Sequence, residues 1–265
     1  MTTSVAIVTG ASSGIGHATA LRLARDFSAI VLVARSGERL REAAQEIESR
    51  GSTPLVLELD LAAPDAADEI VKATLDRFGR IDTLVNVAGA VAGLDLFELT
   101  DAQWDAGLAL KFHGARRLTI RAWNALKASR GAVIFTSGNA AMLPRTGAAA
   151  VGTINAAIEA LAKAFAERGI DDGVQVNCVS PGAVMTGRRL AMLEKAAAAR
   201  QVDIDTAKAG FLRQAGIRRF GAPEEIADLV AYAVSPPARW MTGTVLRMDG
   251  GEIRTVSPEL VSMRP

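Results

Sequence analysis

Cysteine and tyrosine each occur once in this 265-residue chain, and histidine twice. The lone Cys178 excludes an intrachain disulfide and a cysteine-built zinc centre, and it fits a reducing cytoplasm. His17 and His113 lie far apart in sequence and away from acids, so no metal site is expected. Net charge is almost absent: 30 Lys and Arg against 29 acids leave +1, which provides no overall field for nucleic acid or an anionic membrane. The reading finds no apolar run of membrane-spanning length, and the first residues lack the basic segment and long apolar stretch of a secretory signal. A small-molecule partner is the expectation that remains.

What is present is enough for a large core: 49% of residues are hydrophobic and 22% charged. Length and the absence of a Pro/Gly linker argue for one domain over 1–265. Short β-branched runs alternate with helical periodicity, the pattern of repeated βαβ units around a parallel sheet. Strands are predicted at 5–9, 29–34, 55–59, 83–87, 132–136, 174–179 and 244–248, each apolar enough to be covered on both faces. Helices are predicted after the first strand over 18–27, around 156–165, and from Pro223, where proline and two acids suit a helix start. In the second of these, Ile158, Leu161, Ala162 and Phe165 share one face, and Glu159 and Lys163 form an i,i+4 pair on another. Residues 187–216, rich in alanine and charge, read as a mobile helical flap over the substrate side. Cys178 reads as a small core residue, and Trp240 with Met241 as core or a subunit contact.

The first strand runs into Thr9-Gly10-Ala11-Ser12-Ser13-Gly14-Ile15-Gly16, followed by a helix. Glycines at this spacing let the backbone turn tightly and approach a pyrophosphate, while the helix N-terminus offers N–H donors and positive potential. The fold class is therefore α/β, a Rossmann-like doubly wound parallel sheet of about seven strands with helices on both faces.

This turn resembles the T-G-x-x-x-G-x-G signature of the short-chain dehydrogenase/reductase family. Other motifs agree in order across nearly the whole chain. Asp60-Leu61 stands where the family contacts adenine, and Asn86-Val87-Ala88-Gly89 resembles its N-N-A-G turn. Ser180-Pro181-Gly182-Ala183-Val184-Met185-Thr186 resembles the segment that holds nicotinamide, and Arg219-Phe220-Gly221 and Asp249-Gly250-Gly251 match its C-terminal part. The resemblance implies cofactor contacts from Gly10, Ser12, Ser13, Gly14, Ile15, Gly16, Asp60, Leu61, Asn86, Ala88, Gly89, Pro181, Gly182, Val184 and Thr186.

Cofactor preference is read at the end of the second strand. NAD-preferring folds place a carboxylate there for the ribose hydroxyls; this chain has Arg35-Ser36. A guanidinium and a hydroxyl suit a 2′-phosphate, so NADP is expected over NAD.

The resemblance also implies a catalytic Tyr, a Lys four residues later, a Ser and an Asn, and here the pattern fails. Val151 occupies the tyrosine position and Asn155 the lysine position, and the single tyrosine, Tyr232, lies in an apolar helical stretch near the C-terminus. Gly138 falls at the serine position, although a one-residue slip would restore Ser137. Lys111 replaces the asparagine. Lys111 in a dry cleft could have its pKa lowered and donate a proton, or it could brace the site against Asn155 or a carboxylate. Ser137, Lys111 and Asn155 are thus the candidate catalytic residues. The expectation is an NADP-dependent oxidoreductase interconverting a carbonyl and an alcohol; the alternatives are a catalytically silent NADP-binding sensor or partner subunit, and non-redox chemistry on the same scaffold. A dimer or tetramer is implied by the resemblance, through the long helices of the fourth and fifth crossovers and the C-terminal strand, and the apolar face around Ala156–Phe165 and the tail beyond Gly251 are compatible with it.

Overall fold

The computed structural model describes residues 4–254. Seven strands form one all-parallel sheet: β1 Val5–Thr9, β2 Ala29–Ala34, β3 Thr53–Glu58, β4 Thr83–Asn86, β5 Ala132–Thr136, β6 Gln175–Pro181 and β7 Val245–Met248, in spatial order 3-2-1-4-5-6-7. The helices are α1 Gly14–Leu23, α2 Gly37–Ser49, α3 Ala66–Phe78, α4 Asp101–Gly107, α5 Ala115–Ser129, α6 Ala149–Asp172, α7 Gly187–Arg200, α8 Ile204–Ala215 and α9 Pro223–Ala233. A π-helical segment, Leu108–Gly114, joins α4 to α5 without a break.

Alternation along each central strand feeds two cores. Val5 and Ile7 of β1 face the layer of α3, α5 and α6, where they meet Ile70, Leu118, Leu126 and Ile158. Ala6 and Val8 face α1, α2 and α9, with Leu23, Leu40, Ile47 and Val230. β1, β4, β5 and β6 are buried along their length. The edge strands depart from the expectation of cover on both faces: β3 is only half-buried and β7 mostly exposed, because each has a neighbour on one side alone.

The first helix begins at Gly14 inside the glycine turn, four residues before the expected start, and ends at Leu23. Residues 187–216 fold as two helices, α7 and α8, and the second ends on Gly216 in the left-handed conformation. Contrary to the sequence reading, one helical stretch, Thr146–Asp172, is long and apolar enough by length and composition to cross a membrane. Its Ile158, Ala162 and Ala166 are packed in the core beneath it. Tyr232 is not deep in α9 but 54% exposed, and Trp240 is fully exposed while Met241 packs against the core. Residues 255–265, part of the expected subunit contact, lie outside the described residues.

Candidate active site

The order of strands reverses between β1 and β4, where crossovers depart to opposite sides and leave a crevice above the strand ends. A cleft of about 680 Å³ opens there. Its floor is the turn after β1, where Gly10 and Gly14 take positive φ of 69° and 56°. Gly16 has no room for a side chain: a Cβ would lie 2.6 Å from the carbonyl carbon of Gly10. Glycine at 16 therefore lets the first turn of α1 close onto the strand end, with its N–H groups facing the cleft.

The lining contains Gly10, Ser12, Ser13, Gly14, Ile15, Gly16, Arg35, Asp60, Leu61, Ala88, Gly89 and Thr186 of the expected cofactor residues. It also contains Thr9, which opens the glycine motif but was not among the expected contacts, and Arg39 and Arg188, which the motifs did not single out. Thr9 Oγ1 accepts from the N–H of Val87 and of Ala88, at 3.0 and 3.1 Å, and so ties the glycine turn to the loop after β4. Arg39 lies in the first turn of α2, just after the loop that carries Arg35.

Other expected residues stand elsewhere. Asn86 is buried and donates from Nδ2 to Thr119 Oγ1 at 3.2 Å, so it joins β4 to α5 instead of lining the cleft. Ser36 precedes α2 without making a side-chain capping bond. Pro181 ends β6, paired with Met248, and Gly182 and Val184 line a second hollow of about 490 Å³ with Ile217, Arg219 and Asp249. The sequence reading saw no acid near Arg35, yet Glu58 at the end of β3 lies against Gly37 at the start of α2. The positive end of the helix dipole suits a carboxylate there, and Glu58 does not line the cleft.

The three candidate catalytic residues converge behind the Gly89 wall of the cleft, and none of them lines it. Lys111, in the middle of the π-helical segment, packs its stem behind Gly89 and donates from Nζ to the carbonyl of Ser137 at 3.3 Å and to Asn155 Oδ1. Burial pushes the Lys111 ammonium down to about 8; Cys178 and Glu159 oppose the shift, and Arg188 adds to it. Cys178, on β6 below, is a buried free thiol held up at about 11 by its burial.

Positions 137 and 138 point to different partners. A side chain at Gly138 would meet Asn155 Nδ2, its Cβ 3.1 Å away, whereas Ser137 Oγ donates to Glu159 Oε1 at 2.7 Å. Glu159 is therefore not the surface partner of Lys163 that helical spacing suggested; Lys163 donates to the Gly243 carbonyl at 3.2 Å. Glu159 belongs to the site, and its position one turn after Asn155 was the available signal. Val151, where the family has tyrosine, packs with Val91, Ala150, Ile154 and Leu108 in a small apolar cluster and brings no donor.

His17 lies 3.7 Å from Glu46, and His113 sits edge-on to Phe112; neither joins the cluster. Among the described residues no group of three or more potential metal ligands occurs.

Comparison with known proteins gives a consistent result. A family model described as enoyl-(acyl carrier protein) reductase matches residues 10–252. A 3-oxoacyl-[acyl-carrier-protein] reductase of Synechocystis is 32% identical over 96% of this chain and 98% of its own length. The short-chain reductase protein NovJ of Streptomyces niveus is 31% identical over 94% of this chain and 93% of its own length. Among solved structures, L-sorbose reductase from Gluconobacter frateurii, complexed with NADPH and L-sorbose, superposes with a TM-score of 0.92 at 31% identity, covering 97% of this chain and 98% of the other.

Proposed function

The chain belongs to the short-chain dehydrogenase/reductase family, and from that premise we propose that it is an NADP-dependent reductase of a small carbonyl compound, with Lys111 as the proton donor. The observation that carries the reading is the enclosed Lys111 ammonium, held by Ser137 and Asn155 behind the Gly89 wall of the cleft.

The residues present fit the dinucleotide. The turn at Gly10–Gly16 carries glycine at three of its seven positions, where a pyrophosphate would approach the backbone, and Arg35 and Arg39 both line the cleft. Two guanidiniums there favour a 2′-phosphate over a bare hydroxyl. The NADPH complexes among structural relatives, L-sorbose reductase and the actinorhodin polyketide ketoreductase, point the same way.

When bound, NADPH supplies the hydride. The protein's part is then to place the carbonyl beside Lys111 and to release a proton from Nζ to the oxygen that gains charge. A lysine near pKa 8 is still largely protonated at neutral pH and gives up its proton far more readily than an ordinary lysine. The neutral amine left behind recovers its proton from solvent. Steady NADPH oxidation with a panel of ketones and aldehydes, abolished in Lys111→Met, tests this reading; full turnover in that variant would overturn it.

One observation favours a second reading. Val151 closes the tyrosine position with apolar contacts, and Tyr232 is on the outer face of α9, so a silent NADP-binding subunit also fits the chain. Tight NADPH binding without hydride transfer to any carbonyl would select it. For either reading a homo-oligomer is proposed, supported by the outward Ile120 of α5 and Ile170 of α6, 49% and 71% exposed. Light scattering on the purified protein tests it. The buried free thiol of Cys178 suits a cytoplasmic setting.

A further inference from the structure

Glu159 is an unusual residue for the inward side of α6. Its neighbours toward the sheet, Ile158 and Ala162, are buried and apolar. Glu159 is half-buried there, and a partly covered carboxylate is stabilised by hydrogen bonds or an opposite charge. Among the described residues, the one side-chain bond it receives is from Ser137 Oγ, at 2.7 Å. The carbonyl of that same Ser137 accepts from Lys111 Nζ. Carboxylate, serine and lysine therefore form one connected chain, with the hydroxyl of Ser137 engaged on one side and its carbonyl on the other.

We propose that Glu159, acting through Ser137, is a positioning residue for Lys111: it fixes the serine whose carbonyl holds the ammonium, and it supplies the negative charge that the enclosed cation faces. The proposal builds on the reading of Lys111 as the functional group of the site. Groups facing Lys111 from the other elements are few. Asn155 and Glu159 approach from α6, Ser137 from the end of β5, Cys178 from β6 and Arg188 from α7. Cys178 is a neutral thiol around pH 8, and Arg188 is cationic and works against the ammonium. Glu159 is thus the only carboxylate of this set, and no other member can replace its charge.

The test is the titration of the Lys111 amine itself, read by competitive labelling of the whole protein with trace acetic anhydride and mass spectrometry across pH 6–11. This readout needs neither substrate nor turnover. The wild-type amine should titrate near 8. In Glu159→Gln the midpoint should fall below that of the wild type, as expected when a nearby opposite charge is removed. Ser137→Ala, which unties the carboxylate but leaves it in place, should move the midpoint the same way by less. Glu159→Asp should restore part of the shift. An unchanged midpoint in a folded Glu159→Gln overturns the proposal; if that variant does not fold, an unchanged midpoint in Ser137→Ala does so. A shifted midpoint together with full turnover in Lys111→Met would instead sink the donor role and leave the positioning role standing.

Discussion

Lys111 Nζ donates to Asn155 Oδ1, joining the π-helical segment to the second turn of α6. In the alignment that the family resemblance implies, the first of these positions is an asparagine and the second a lysine. On that alignment the two residue types exchange places here, and the cation stands on the segment that backs Gly89. The exchange keeps a direct contact between the two positions and keeps one positive charge in the cluster. What it does not keep is the phenol that the family's lysine serves, because Val151 leaves nothing there to ionise.

If Lys111 is the donor, replacing it by methionine keeps the stem that packs on Gly89 and removes only the proton. Turnover should fall by about 10²- to 10⁴-fold, the usual worth of general acid catalysis, with NADPH affinity unchanged. Steady-state kinetics and nicotinamide fluorescence measured on one preparation check both halves.

The pH dependence follows from the same group. The ammonium is the active form and is lost as pH rises through about 8, so carbonyl reduction should be level below that value and decline above it. An ordinary lysine would hold the plateau to beyond pH 10. A rate profile from pH 6 to 10 separates the two.

Cofactor choice should rest on Arg35. Arg35→Asp should weaken NADPH by about 10- to 100-fold, the worth of a charged hydrogen bond to phosphate, and leave NADH little altered. Arg39→Ala should act in the same direction, since Arg39 lines the same end of the cleft. Equal loss for both cofactors would remove the assignment.

Gly16→Ala should destroy the phosphate turn. The added methyl collides with the Gly10 carbonyl, so helix α1 must shift, at a cost of about 1–3 kcal/mol typical of overpacking. Denaturant unfolding should report that loss, and NADPH titration should report failure to bind.

Asp172 offers a test far from chemistry. Its carboxylate accepts from Trp123 Nε1 at 2.8 Å, Lys127 Nζ at 2.5 Å and Arg168 Nε at 2.7 Å, tying the end of α6 to α5. Lys127, Trp123 and Arg168 hold it well below the usual carboxylate range. Its folded-state pKa is depressed, so its contribution is present above the unfolded value near 4 and is lost as pH falls below that. Asp172→Asn should therefore lower the melting temperature at pH 7 and lower it less at pH 3.

The central strands were legible because a buried parallel strand is apolar on both faces, as in Val5-Ala6-Ile7-Val8. The edge strands were legible too, but not their exposure, since Thr53–Glu58 and Val245–Met248 each have a neighbour on one side only. The phosphate turn was legible because glycine is demanded there by sterics, and Arg35 because charge at a strand end has a physical reading. Glu159 was misplaced for an instructive reason. Spacing on a helix says that residues 159 and 163 can meet, but not which way the helix is turned on the sheet, and here that rotation points Glu159 to Ser137. Asn86 and Gly182 matched the family's motifs, and in the structure Asn86 bonds Thr119 while Gly182 lines the neighbouring hollow.

The π-helical segment Leu108–Gly114 carries a geometric consequence for everything after it. Each residue of a regular helix turns the chain by about 100°, and π-type bonding wraps an additional residue into the local turn. The phase of α5 is set by that extra length: Leu118, Ala122 and Leu126 reach the core because the helix before them is overfull. The same overfull turn holds Lys111. Removing one residue to regularise the helix would swing the lysine away from Ser137 and rotate the apolar stripe of α5 off the sheet together, so the chain cannot lose its displaced cation by that route without also losing a layer of its core.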